Sequence, residues 1–197
     1  MSSPATIAIC IGHSRRIEGR RDGGAVSCKP QSTEWAYNDA LGRMIVERLH
    51  DVHGIDAVLV NDYQGNGYGA AMRWLAAYLR GLGNIKLAVE LHFNAADNPQ
   101  ARGHEWLHWH ASTKGKLLAA ELSTSYSLTL PGIPARGVKA LDDSARGAEF
   151  VRLTHCPAVI CEPGFGSNQT DWDNLRLNPE RIAAAIATAL AANVKRL

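Results

Sequence analysis

Four short runs of this chain are almost wholly apolar: Ile7–Ile11, Ala57–Val60, Leu87–Leu91 (interrupted only by Glu90) and Ala158–Cys161. A strand with one wet face alternates polar and apolar residues, so a run apolar at consecutive positions belongs in a sheet covered on both sides. The segments between the runs carry the other period. From Glu34 to about Gly54 the apolar residues Tyr37, Leu41, Met44, Ile45 and Leu49 recur at helical spacing, with Ser32 or Thr33 placed to cap the start. Met72, Leu75, Ala76 and Leu79 predict a second helix between Gly69 and Leu82. Beyond the Leu87 run, the pattern predicts a strand from Glu105 to Trp109, a helix from Ser112 to about Leu128 and a short strand near Gly137–Lys139. The Ala158 strand then precedes a last helix from Pro179 to about Val194, with proline in its first turn. Strand and helix alternate throughout. The expected class is α/β, a twisted, mostly parallel or mixed sheet of about six strands with helices on both faces.

The length of 197 residues predicts a single domain over 1–197 with no separate appended domain. A composition 46% hydrophobic and 20% charged excludes disordered, collagen-like and coiled-coil chains. The net charge is only +2 and its members are interspersed, which argues against a nucleic-acid partner. The longest apolar stretch, Ile182–Ala192, is far short of the roughly 20 residues that span a bilayer, so no stable membrane association is expected. The first six residues lack the basic region of a secretory signal, so the expected location is the cytoplasm until release. Cys10, Cys28, Cys156 and Cys161 form no C-x-x-C pair, so neither a zinc ribbon nor a redox motif is indicated; Cys10, Cys156 and Cys161 read as small core residues.

In open α/β sheets, ligands bind beyond the carboxyl ends of strands. Three such ends carry metal-ligand chemistry: Gly12-His13, then His92-Phe93-Asn94, then Glu162-Pro163-Gly164. Glu34 adds a carboxylate at a helix start, where the dipole keeps it ionised. His13, Glu34 and His92 make the two-histidine, one-glutamate set of a catalytic zinc site with an open fourth position. Glu162 is then left over as a proton carrier beside the metal. The long loop from Gly12 to Gln31 is expected to be functional.

Other residues compete. His104, His108 and His110 share one side of a strand with Trp106; Leu107 and Trp109 are expected to form its buried face, leaving the histidine row toward solvent or substrate. Glu18 rivals Glu34 as the carboxylate ligand, though four neighbouring arginines suggest a charged surface loop. Glu90 shares a strand face with His92 and can orient its imidazole. Trp106, Trp109 and Tyr126 are either substrate-stacking residues or core aromatics, and His50, His53 and His155 are expected to be solvated.

Taken in order, Ile9–His13, Asp22-Gly23-Gly24-Ala25, Glu34, Glu90–Asn94, Gly103, Arg136–Lys139 and Pro157–Asn168 resemble the zinc-dependent N-acetylmuramoyl-L-alanine amidases of the amidase-3 type. The Gly-His start together with the strand ending in Glu-x-Gly-Phe-x-x-Asn is the more specific part, and Glu90 and Phe93 depart from the usual pattern. The resemblance implies one Zn2+ held by His13, Glu34 and His92, Glu162 as the catalytic carboxylate, and peptidoglycan as substrate. With no export signal in view, it further implies a monomeric phage endolysin, released to act on the thin periplasmic wall of a Gram-negative host. A zinc exopeptidase or related amidohydrolase on a similar scaffold, and a non-catalytic wall-binding module, are the alternatives.

Overall fold

The structure is a computed structural model that describes residues 6–145 and 147–196. Its centre is a six-stranded sheet in the order β4-β1-β5-β8-β6-β7. The strands are β1 (Ile7–Ile11), β4 (Ala57–Val60), β5 (Leu87–Leu91), β6 (His104–Trp109), β7 (Ala135–Leu141) and β8 (Ala158–Glu162). β4, β1, β5 and β8 run parallel; β6 pairs antiparallel to β8 and parallel to β7, which makes the sheet mixed. A separate two-stranded ribbon, β2 (Arg16–Ile17) with β3 (Arg20–Arg21), stands in the loop after β1.

The two-residue period of β1 explains the layers. Ile7, Ile9 and Ile11 join one core with α1 (Glu34–His53), α3 (Thr113–Thr129), α5 (Gln169–Leu177) and α6 (Pro179–Val194). Ala8 and Cys10 join the other, with α2 (Tyr68–Gly81) and α4 (Ala148–Leu153). Both faces are therefore dry, as the all-apolar runs require. α1 is capped as its sequence predicts: the Thr33 hydroxyl accepts from the Ala36 amide, and Gly54 closes the helix in the left-handed region at φ 64°. Gly42 lets α1 lie against the sheet, since a Cβ there would stand 2.7 Å from Ile11 Cδ1.

Three elements were not foreseen. The β2–β3 ribbon has no apolar alternation and is held by charge, with Arg16 and Arg21 on Asp62 and Arg15 on Asp22. α4 and α5 are short, and α5 buries only Trp172 and Leu175 as apolar residues, too few to mark a period. Among the described residues no helix is long and apolar enough to cross a membrane. Cys10 and Cys161 are buried in the core and Cys156 is partly buried.

Candidate metal centre

β1, β5 and β8 are neighbours and parallel, so their carboxyl ends open at the same edge of the sheet. β1 is also where the strand order reverses, with β4 on one side and β5 on the other, the position at which such sheets form a crevice. His13 follows β1, His92 follows β5 and Glu162 ends β8, while Glu34 enters as the first residue of α1. Potential ligand atoms of His13, Glu34 and His92 all lie within 4.8 Å of one another.

The local backbone is shaped for this meeting. His13 sits at φ 59°, a left-handed conformation that costs a non-glycine residue energy and turns the chain out of β1. Gly12 leaves room for the second imidazole: a Cβ on it would lie 2.2 Å from His92 Cε1. Glu34 bridges the two rings, with Oε1 2.8 Å from His92 Nδ1 and Oε2 3.3 Å from His13 Nε2. Its oxygens also accept from the backbone amides of Ala25 and Phe93.

Burial alone would raise the Glu34 carboxyl, but hydrogen bonds and charge from the two histidines overcome it and hold it well below the usual carboxylate range. The same contacts act in reverse on the rings. Burial lowers both imidazoles, and the carboxylates around them win, leaving His13 raised and His92 raised strongly. A buried set of two imidazoles and an ionised carboxylate thus holds protons where a divalent cation would replace them, and its donors are those zinc takes. The residues fit a zinc ion.

Each imidazole has a further carboxylate on its other nitrogen. His13 Nδ1 is 3.4 Å from Asp22 Oδ2, and His92 Nε2 is 3.2 Å from Glu90 Oε2. Glu162 lines the same cleft, which has a volume of about 760 Å³. Its Oε2 is buried with no hydrogen-bond partner among the described residues. Burial, followed by the nearby carboxylates Glu34, Glu105 and Glu90 and partly offset by His92, pushes its carboxyl up to about 8. A buried carboxyl with an unpartnered oxygen and a raised affinity for its proton is a candidate functional group.

The competing sites do not assemble. Glu18 is exposed at the turn of the β2–β3 ribbon, at φ 49°, and is absent from the His13, Glu34, His92 group. The face of β6 is the reverse of the one expected. His104, Trp106 and His108 are buried, while Leu107 and Trp109 are only half-buried and Leu107 lines the cleft. The reason is that α3 covers the even-numbered side, where His104 Nδ1 accepts from the Trp106 indole at 2.8 Å and Nε2 meets Ser127 at 3.0 Å. Only His110, past the strand, is exposed. Trp106 and Tyr126 are likewise core residues; the aromatics along the cleft are Tyr63, Tyr68 and Phe93, which the sequence reading missed. His50 and His155 are exposed as expected, but His53 is half-buried, with Nε2 lacking a partner among the described residues.

The family model described as N-acetylmuramoyl-L-alanine amidase, amidase-3, matches residues 7–192. No curated protein sequence matches the chain. Among solved structures, the chain resembles the catalytic domain of the amidase CwlV from Bacillus (Paenibacillus) polymyxa var. colistinus, with a TM-score of 0.78 and 20% identity over 96% of this chain and 98% of that one. It also resembles the N-acetylmuramoyl-L-alanine amidase AmiC2 of Nostoc punctiforme, at TM-score 0.79 and 22% identity over the whole of both chains. The catalytic domain of an endolysin targeting Clostridia difficile superposes at TM-score 0.75 with 24% identity, covering 94% of this chain and 96% of that one. At these identities the likeness is one of fold.

Proposed function

Since the chain belongs to the amidase-3 family of N-acetylmuramoyl-L-alanine amidases, we propose that it cuts the amide between the lactyl group of N-acetylmuramic acid and L-alanine with zinc held by His13, Glu34 and His92. The observation that carries the metal assignment is the meeting of those three side chains beside the unpartnered, buried oxygen of Glu162. A zinc ion bound there would polarise the amide carbonyl, acidify the attacking water and, by its charge, favour the ionised form of Glu162.

The chain's own groups do the rest. Glu34 and the two imidazoles would hold the ion, and the sheet edge positions these three side chains. Glu162 accepts the proton from the attacking water and returns it to the alanine nitrogen as the C–N bond breaks, so that the amine leaves neutral. Met72, Leu107, Leu141 and Ile160 also line the cleft, and their apolar surface sheds water from the scissile region.

The test is product analysis on purified peptidoglycan with the zinc-loaded protein and with the same protein after chelation. The reading requires free stem peptides beginning in L-alanine and glycan strands bearing unsubstituted lactyl groups, lost on chelation and restored by zinc. New sugar reducing ends or cut cross-links would refute it. For the biological setting we favour a phage endolysin, a reading supported by the fold shared with an endolysin catalytic domain. It predicts lysis of Gram-negative cells whose outer membrane has been permeabilised, with intact cells unharmed from outside.

A further inference from the structure

Glu90 is a carboxylate in the middle of a buried strand. It lies in β5 between Val89 and Leu91, with β1 on one side and β8 on the other, and its side chain is 4% exposed. An ionised group in such a place is costly unless it is paired. Both of its oxygens have partners. Oε1 accepts from the Tyr63 hydroxyl at 3.1 Å, and Oε2 lies 3.2 Å from His92 Nε2. Tyr63 is itself buried, and its backbone amide donates to Ser14 in the turn that carries His13.

The geometry around His92 decides which nitrogen faces the metal. Glu34 reaches Nδ1 with one oxygen and His13 Nε2 with the other, so the ligand atoms converge on the Nδ1 side. Nε2 lies on the other side of the ring, 3.2 Å from Glu90 Oε2. We propose that Glu90, held by Tyr63, is a positioning residue for the metal centre: it takes the Nε2 proton of His92 in a hydrogen bond and so fixes the ring with its Nδ1 lone pair toward zinc. An outer carboxylate of this kind sets the tautomer and the orientation of the ring and raises its basicity as a ligand.

The matching carboxylate on His13 is weaker in this role. Asp22 stands 3.4 Å from His13 Nδ1, and it is shared with Arg15, whose Nε and Nη2 approach at 2.9 and 2.8 Å. That guanidinium draws off its charge. Among the described residues Glu90 meets no arginine or lysine; its polar partners are a phenol and the imidazole.

The inference rests on the zinc reading above. Its test is the zinc affinity of wild type, Glu90→Gln, Glu90→Leu and Tyr63→Phe by chelator competition at one pH, with thermal unfolding of each metal-free protein. Glu90→Leu should weaken zinc binding on the order of 10- to 100-fold. Glu90→Gln, which keeps an acceptor without the charge, should fall between it and wild type, and Tyr63→Phe should show the smallest loss. Metal-free Glu90→Leu should unfold below wild type, because the Tyr63 hydroxyl and His92 lose a buried acceptor, so the zinc affinities carry the test. A carboxylate with only a structural task would show the lower unfolding temperature with unchanged zinc affinity. Both Glu90 variants binding zinc within about twofold of wild type would overturn the proposal, against the loss expected of an outer-sphere partner. If Glu90→Leu fails to fold, the Glu90→Gln affinity decides alone. A wild type that binds no zinc defeats the metal reading itself, and that result is distinct from the other two.

Discussion

Glu162 and Glu34 are both buried carboxylates at one sheet edge, and their surroundings push them in opposite directions. Two imidazoles keep Glu34 ionised, while burial and neighbouring carboxylates raise Glu162. This difference supports the roles proposed above, the first as a ligand and the second as the group that moves a proton. Glu162→Gln keeps the shape and removes the base, so zinc content by elemental analysis should stay at the wild-type level while turnover falls by about 10² to 10⁴. A loss of metal in this variant would make Glu162 a ligand. For the ligands the expectation is the converse: His92→Ala and Glu34→Ala lose zinc and activity together, while Glu18→Ala, changed at an exposed turn, leaves both unaltered. Elemental analysis beside a wall-digestion assay reads both. Gly12 belongs to the same scale. The resemblance singles out its Gly-His pair, and the structure supplies the reason: a methyl group there would lie 2.2 Å from His92 Cε1.

At the level of elements, α5 shows how a piece with little sequence signal becomes structural. Asn168 caps it through the Asp171 amide, and Asp171 is fully buried. The Asp171 carboxylate accepts from the backbone amides of Gly103 and Phe165 at 2.6 and 3.2 Å and from Arg102 at 3.2 Å. One side chain thus ties the helix to the loop entering β6 and to the loop leaving β8, the strand that delivers Glu162. Asp171→Ala leaves two buried amides and a guanidinium without their acceptor. The expected cost is at least about 3 kcal/mol, read as a shifted urea midpoint with unchanged slope. A shift below about 1 kcal/mol would show that water takes over the carboxylate's place. β6 teaches a related point. Its apolar and histidine positions alternate, so either face could be the buried one, and the packing of α3 chose the histidines.

For the whole molecule, His104 links folding to pH. Trp106 donates to Nδ1, and an indole can only donate, so the proton sits on Nε2 toward Ser127 and the ring is neutral. Burial pushes this imidazole down to about 4, against an ordinary value of about 6.5. Between those two values the unfolded chain binds a proton that the folded chain refuses, so stability falls as pH falls through that window and is flat with respect to this group above it. The full loss is on the order of 2–3 kcal/mol. Urea unfolding of zinc-loaded wild type and His104→Phe checks it: the gap between the two proteins should narrow, or reverse, from pH 7 to pH 4.5. A gap independent of pH would mean the ring titrates normally.

The sequence by itself determined the fold class and the candidate chemistry. Both are local: the all-apolar runs could only be strands buried on two faces, the helical period is written within single segments, and His13, His92 and Glu162 stand where strand runs stop. Their meeting with Glu34 was an expectation that needed the strand order, since only neighbouring parallel strands open at one edge. Tertiary structure alone decided the order of the strands, which places β5 between β1 and β8, and the side of β6 that faces inward. It alone set Tyr63 behind Glu90, and Asp171 beneath the loop that carries Gly103, far away in sequence. Those choices depend on which side chains are brought together across the chain, and a contact between distant residues leaves no period in either segment.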